Sequence, residues 1–373
     1  MLSFKDLANM LIFRYSKIKT MKKLHAFLLL AFTIANVSYY AQDDIAVGDS
    51  TALDQFKAEQ YYNAGIEKFN NKDLPGAILL FDSALTIAPN FEKALFNRGS
   101  VYYQTNDYSA AIADFTKVIE INPDTNNAYY YRGLAYQRTN KSEMALKDFN
   151  DAIRVNDKNA KAYYHRGEFS FLDGKYEEAI KDYDKAIAND PNYTYAYNDR
   201  ASAKRQLKNY KGAIVDYKKA IAKDSKLEFL YNNLGSAYRN NEQYIEAIAA
   251  YDKAIKIKPN YFIALNNRGL AKYEKGDYDA AIVDFNAAIK LKATYVYAYN
   301  NRAAAKFKLK DYKGSESDCN KALIMDDEYA AAYLNRGIAR EMLRKQDKAC
   351  EDWHKAAELG LKNGKTFSQQ ACN

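Results

Sequence analysis

Two residue types recur together at a fixed spacing in this sequence, an arginine followed by an aspartate. The couples are Arg98 and Asp114, Arg132 and Asp148, Arg166 and Asp182, Arg200 and Asp216, Arg268 and Asp284, Arg302 and Asp318, and Arg336 and Asp352. Two chemistries are open to such a set. A row of arginines can collect anionic ligands, or each guanidinium can close a two-pronged ion pair on its carboxylate. The couples follow one another every 34 residues, with one step missing between Arg200 and Arg268. At the missing step the two positions hold Leu234 and Ala250, and one step before the first couple they hold Ala64 and Leu80. Both members are lost together, which implies that they touch. The match is internal to each step, because Arg268 would otherwise face Ala250. We read the couples as ion pairs that hold the chain together rather than as a ligand site. Where such a pair is partly buried, removing one member costs more than removing both.

Little else has the spacing for chemistry. The three histidines, His25, His165 and His354, are far apart, and Cys319, Cys350 and Cys372 do not form a metal-finger spacing. Phosphate-binding glycine loops, G-x-S-x-G and H-E-x-x-H are missing from the sequence. The expectation is therefore no enzyme, no cofactor and no metal. The net charge of +8 is concentrated in residues 1–41, which leaves the remainder close to neutral and gives no argument for nucleic acid. At 48% hydrophobic and 27% charged residues the chain is too apolar to be disordered.

The elements that must position the couples follow from the same period. With Ala58 as position 1, the register holds through nine steps without insertion or deletion: 58–91, 92–125, 126–159, 160–193, 194–227, 228–261, 262–295, 296–329 and 330–363. Position 8 is Gly or Ala, and position 20 is Ala except for Ser315. Position 24 is Phe or Tyr except for Cys319 and Trp353, and Pro89, Pro123, Pro191 and Pro259 share position 32. Positions 4, 8 and 11 share one face of a helix, and 20, 24 and 27 share one face of a second. Small residues at 8 and 20 let the two backbones approach, and aromatics at 4 and 24 fill the space around that contact. Polar and glycine residues near positions 14–16 break the chain, and proline ends the second helix.

A helix–turn–helix of this length, repeated with these residues, resembles the tetratricopeptide repeat. The resemblance covers residues 58–363 and implies an all-α solenoid: a right-handed superhelix of stacked antiparallel hairpins whose first helices line a concave wall. It also implies that partners are gripped by that wall. Asparagines occupy it at position 5 (Asn198, Asn232, Asn266, Asn300) and position 6 (Asn233, Asn267, Asn301, Asn335). Each offers a donor and an acceptor, so a line of them either holds an extended peptide backbone or is simply a solvated helix face. Position 12 adds charge at Arg205 and Arg239 and apolar surface at Phe171, Tyr273 and Phe307. The two-carboxylate clamp of some relatives needs Lys at position 5 and Arg at position 6, and no repeat has either. The expected partner is a protein or peptide. The expected role is a non-catalytic scaffold of the cell envelope that binds in the concave groove; the alternative is a structural part of an envelope assembly docking through its convex face or stack ends.

The ends complete the reading. Residues 1–41 form a leader. Within it, Met21, read as the true start, is followed by Lys22, Lys23 and an apolar run from Ala26 to Ala35. That run fits a signal peptide cleaved after Ala41 and falls short of a membrane span. The expected location is periplasmic or extracellular; if residues 21–41 stay attached they anchor the chain in the inner membrane, the one route to membrane contact. Residues 42–57 read as a linker and 364–373 as a polar tail that caps the stack. In an exported protein Cys350 and Cys372 can bridge and pin that tail, or both can stay free thiols. Cys319 takes a core aromatic position and reads as buried and inert.

Overall fold

The structure is a computed structural model and describes residues 48–372. The leader, its cleavage site and Met21 lie outside those residues. Every regular element among the described residues is an α-helix, and the helices run in tandem antiparallel hairpins. Packing divides the chain into two units, residues 1–145 and 146–373.

In the first unit the helices are α1 (Gly48–Asn70), α2 (Leu74–Ile87), α3 (Glu92–Gln104), α4 (Tyr108–Ile121) and α5 (Asn126–Arg138); α6 (Ser142–Val155) carries the division between the units. The second unit continues with α7 (Ala160–Leu172), α8 (Tyr176–Asn189), α9 (Thr194–Gln206), α10 (Tyr210–Lys223), α11 (Glu228–Asn240) and α12 (Tyr244–Ile257). It ends with α13 (Phe262–Lys275), α14 (Tyr278–Leu291), α15 (Val296–Lys308), α16 (Tyr312–Met325), α17 (Ala330–Met342), α18 (Gln346–Glu358) and α19 (Lys362–Ala371). Odd-numbered helices up to α17 are the first helices of the repeats, and even-numbered ones the second.

Local chemistry sets these boundaries. Each hairpin turns on one left-handed residue at position 15: Lys72, Asn106 and Asn140 in the first unit, then Gly174, Lys208, Glu242, Gly276, Lys310 and Arg344. The next residue caps the second helix in several repeats. Asp73, Asp107, Asn209 and Asp311 each accept a hydrogen bond from the backbone N–H three residues on. Second helices with a proline at position 32 end two residues before it, as α12 ends at Ile257 ahead of Pro259.

Within each hairpin the two helices meet at the small residues. A Cβ on Gly269 would lie 2.6 Å from Phe285 Cε1, and one on Gly235 would lie 2.7 Å from Tyr251 Cε1. Where position 8 is glycine, the ring at position 24 therefore lies against bare backbone, and Phe81, Phe115, Tyr251 and Phe285 are fully buried. Separate apolar clusters follow one another hairpin by hairpin, such as Ala281, Phe285 and Ala305, then Ala322, Leu323 and Ala332. In the second unit each first helix also packs on the next first helix (α9 on α11, α11 on α13, α13 on α15, α15 on α17), more closely than second helices approach one another. The first helices thus lie on the inner side of that unit's curve.

Two end segments differ from expectation. Helix α1 starts at Gly48, so most of the expected linker is helical; nothing between Gly48 and Ala58 breaks a helix, although Leu53 and Phe56 remain exposed. The expected tail is α19. It enters through a left-handed Gly360, stacks Phe367 on Trp353 at 5.2 Å and covers the end of the last hairpin.

Candidate functional site

The arginines come first, since they carry the most charge. Arg302 donates from Nε to Asp318 Oδ2 at 2.8 Å and from its NH2 group to Asp318 Oδ1 at 2.6 Å. Arg98 with Asp114, Arg166 with Asp182, Arg200 with Asp216, Arg268 with Asp284 and Arg336 with Asp352 make the same two-pronged contact. The seventh couple, Arg132 and Asp148, is divided between the two units. The aspartates are buried, Asp284 and Asp318 to 1% exposure. A basic residue at position 11 also closes on several of them: Lys204, Lys272, Lys306 and Arg340 lie 2.7–2.8 Å from their carboxylates.

The third arginine nitrogen reaches across the joint. The NH1 group of Arg98 meets Asp82 at 2.6 Å, that of Arg200 meets Asp184 at 2.5 Å, and that of Arg268 meets Asp252 at 2.7 Å. Arg166, Arg302 and Arg336 use Asn150, Asn286 and Asn320 in the same way. Each guanidinium therefore ties its own hairpin to the one before, and its three nitrogens are occupied. Hydrogen bonding to Asp114 pushes the Arg98 guanidinium upward, while burial pushes the Asp114 carboxyl upward. The first direction governs the pair, because a guanidinium does not shed its proton and so keeps an anion beside it. These arginines do not face a ligand.

The partners at position 25 were not anticipated from the sequence. A signal for them exists: that position holds Asp82, Thr116, Asn150, Asp184, Asp252, Asn286 and Asn320 before repeats that have the arginine, and Lys218 before the repeat that has Leu234 instead.

The asparagines lie on the first helices of the second unit. Asn233 Nδ2 donates to Asn198 Oδ1 at 3.1 Å, Asn267 Nδ2 to Asn232 Oδ1 at 3.0 Å, Asn301 Nδ2 to Asn266 Oδ1 at 2.9 Å and Asn335 Nδ2 to Asn300 Oδ1 at 2.9 Å. Each joint between repeats is thus bridged from position 6 back to position 5. Asn198 continues the line to Asp199, which also accepts from the Tyr164 hydroxyl at 2.6 Å. Burial raises the Asp199 carboxyl. Asn198, Asn232, Asn266 and Asn300 are buried, with exposures of 3–7%. This corrects both readings of position 5: these amides neither meet solvent nor face a peptide, because the adjacent repeat covers them. Asn233, Asn267, Asn301 and Asn335 are half-buried and form the floor of the inner face.

The side chains one turn further on stand on that floor. Arg205, Arg239, Tyr273 and Phe307 are half-buried. Arg239 Nε lies 3.7 Å from Glu274, and Arg205 Nε is buried with no hydrogen-bond partner. Tyr273 and Phe307 lean on Tyr278 and Tyr312 of their own hairpins at 5.4 and 5.3 Å between ring centres, as Phe171 leans on Tyr176.

At the far end a disulfide joins Cys350 to Cys372. Cys319 is buried, and burial pushes its thiol up to about 12. Among the described residues no group of three or more His, Cys, Asp or Glu could hold a metal, and no helix is long and apolar enough to cross a membrane.

Comparison with known proteins agrees with this geometry. The family described as "TPR repeat" matches residues 99–140, 235–276 and 269–310, and that described as "Tetratricopeptide repeat" matches 130–194 and 174–228. Together they span more than half of the chain. A tetratricopeptide repeat protein from Parabacteroides merdae is similar in structure, with a TM-score of 0.57 at 19% identity over 66% of this chain and 99% of its own. The APC/C hetero-tetramer Cut9–Hcn1 is similar at 0.55 and 16% identity over 85% of this chain and 76% of its own. The C-terminal part of a TPR repeat-containing protein from Cytophaga hutchinsonii gives 0.52 and 21% identity over 64% and 98%. At these identities the likeness shows the fold alone. No curated protein sequence matches. Proteins of this repeat generally mediate protein–protein interactions, and the fold is typically a non-catalytic scaffold. A 34-residue register, hairpins locked by position-7 arginines and matching repeat families lead to one assignment: the chain belongs to the tetratricopeptide-repeat family.

Proposed function

We propose that the protein is a non-catalytic scaffold of the cell envelope that holds an extended segment of a partner protein along the first-helix face of residues 194–342. The observation that carries this reading is the division of labour on that face. The asparagine bridges repeat at every joint of this face and fix the floor, whereas the side chains above them vary along it: serine and arginine twice (Ser202 and Arg205, Ser236 and Arg239), then Leu270 and Tyr273, then Ala304 and Phe307. Positions that hold the stack are uniform, so varied positions are where an address can be written. Arg205 and Arg239 bring two guanidinium groups to this face, which suit a carbonyl or carboxylate of the partner.

Export is supported by the signal-like leader and by the Cys350–Cys372 bridge, which belongs to oxidising compartments. A second reading, docking through the second helices, draws on exposed Val215, Ile245 and Val283.

Capture from envelope extract decides between the two. Residues 42–373 are immobilised beside two variants, Arg205→Ala with Arg239→Ala and Tyr273→Ala, and Val215→Asp with Ile245→Asp and Val283→Asp. A partner released by the first and kept by the second supports the groove. The reverse pattern transfers function to the outer face.

A further inference from the structure

The ring at position 24 does more than fill a hairpin. Its outer end reaches under position 9 of its own repeat, where the Tyr217 hydroxyl meets Ser202 Oγ at 2.9 Å and the Tyr251 hydroxyl meets Ser236 Oγ at 3.1 Å. It also reaches under position 6 of the next repeat, where Phe115 stacks on Tyr131 and Phe149 on His165. The ring thus closes the floor of the inner face from below.

Repeat 296–329 has no such ring. Cys319 stands there, short and fully buried. A cavity of about 190 Å³ opens in this repeat, lined by the residues that cover the ring elsewhere: Ala304 at position 9 and Asn335 at position 6 of the next repeat. Tyr273, Phe307 and Ile338 supply apolar wall, and exposed Lys308 stands at its rim. Deep in it lies Ser315, where every other repeat has alanine. Ser315 is 0% exposed and its Oγ has no hydrogen-bond partner.

From this geometry we propose that the cavity is a specificity pocket for one aromatic side chain of the partner, a tyrosine, which replaces in trans the ring this repeat lacks. A cavity of roughly 150 Å³ takes a benzene ring, so the volume suits one aromatic group. The chain itself shows the matching chemistry twice, a phenol hydroxyl against a serine hydroxyl, and Ser315 Oγ can donate and accept in the same way. Tyr273 and Phe307 offer edges and faces to the incoming ring. The inference rests on the first-helix face being the partner-binding surface, and adds which residue type that surface selects.

The test uses residues 42–373 with labelled isoleucine methyl groups, titrated with p-cresol and with toluene, the side chains of tyrosine and phenylalanine. We expect a saturable shift of the Ile338 methyl signal, with p-cresol about five-fold tighter than toluene, the worth of one hydrogen bond. Ser315→Ala should make the two equal. Cys319→Phe restores the ring of the other repeats and should abolish the shift; Ala304→Phe blocks the cavity from the groove side and should do the same if the first variant fails to fold. An Ile338 signal that does not respond in the parent chain, or responds unchanged in a folded ring-restoring or blocking variant, overturns the proposal. The groove reading is separable. If p-cresol binds but partner capture ignores Arg205, Arg239 and Tyr273, the groove falls and the cavity loses its role for the partner, keeping only its affinity for a phenol. If captured peptides bind Cys319→Phe as tightly as the parent, the pocket falls and the groove stands.

Discussion

Arg268 reaches backward to Asp252 at 2.7 Å while it grips Asp284 of its own hairpin at 2.5 and 2.9 Å. One side chain therefore reports on both the hairpin and the joint, and the same arrangement recurs at Arg98, Arg166, Arg200, Arg302 and Arg336.

The repeat that lacks it offers a clean test. Leu234, Ala250 and Lys218 occupy the three positions that Arg268, Asp284 and Asp252 occupy one repeat later. Leu234 is 7% exposed. Leu234→Arg alone should destabilise by about 3 kcal/mol, because the new charge meets Ala250 and Lys218. Adding Ala250→Asp and Lys218→Asp should recover most of that loss. Guanidinium melts of the single and triple variants check it. A single variant as stable as the parent would show that the position tolerates charge and that the pairs are incidental.

The asparagine bridges predict an asymmetry. Asn301→Ala leaves the buried Oδ1 of Asn266 without its donor, whereas the two-residue change Asn301→Ala with Asn266→Leu removes that acceptor too and takes only a 3.5 Å donor from the half-buried Asn267 Oδ1. The single change should cost about 1–3 kcal/mol and the double less. Hydrogen exchange in α13 and α15 reads this joint directly, with faster exchange expected for the single variant only. Equal exchange in both would mean that the bridge contributes nothing to the joint.

The hairpins and the arginine–aspartate couples were legible because each is complete inside one 34-residue period, so presence and absence could be compared across nine copies. The backward reach of Arg200 to Asp184 was not, since its two members lie in different copies. Only Lys218, charged oppositely before the repeat with Leu234, betrays it. The burial of Asn232 and Asn266 was hidden for a different reason. An asparagine covered by a neighbouring repeat and one facing solvent have the same helical spacing, and only the stacking distance separates them. Residues 48–57 of α1, and α19 beyond residue 363, lie outside the register, so no comparison among copies could reveal them. The cavity beside Ser315 was visible as two departures from the pattern, Ser315 and Cys319, but that they open onto the groove depends on where the missing ring would end.

Acid should weaken the joint before the last hairpin. Glu316 accepts from Arg340 Nε at 3.0 Å and from Lys345 Nζ at 2.6 Å. Burial opposes its charge, but Lys345 and Arg340 together hold the carboxyl below its ordinary value. A group whose folded-state pKa is depressed adds stability above its unfolded pKa and loses it as pH falls through the folded value. Glu316→Gln should therefore lower the melting temperature at neutral pH, and parent and variant should converge below the ordinary carboxylate range. A gap that stays constant with pH would assign the loss to packing instead of charge.

Reduction should release α19 and leave the stack intact. The Cys350–Cys372 bridge closes a separation of 22 residues, which by loop entropy is worth about 3 kcal/mol. It holds the helix that places Phe367 on Trp353, the single tryptophan in the chain. Trp353 is fully buried, so its emission reports on that contact. Cys350→Ser with Cys372→Ser should shift Trp353 emission to the red and speed exchange in α19. Far-ultraviolet circular dichroism should change by no more than the ten residues of that helix. The terminal repeat of a solenoid is stabilised from one side only, so opening α19 exposes the apolar end of α18 without propagating inward. Broad loss of helix on reduction would show instead that the cap sustains the whole second unit.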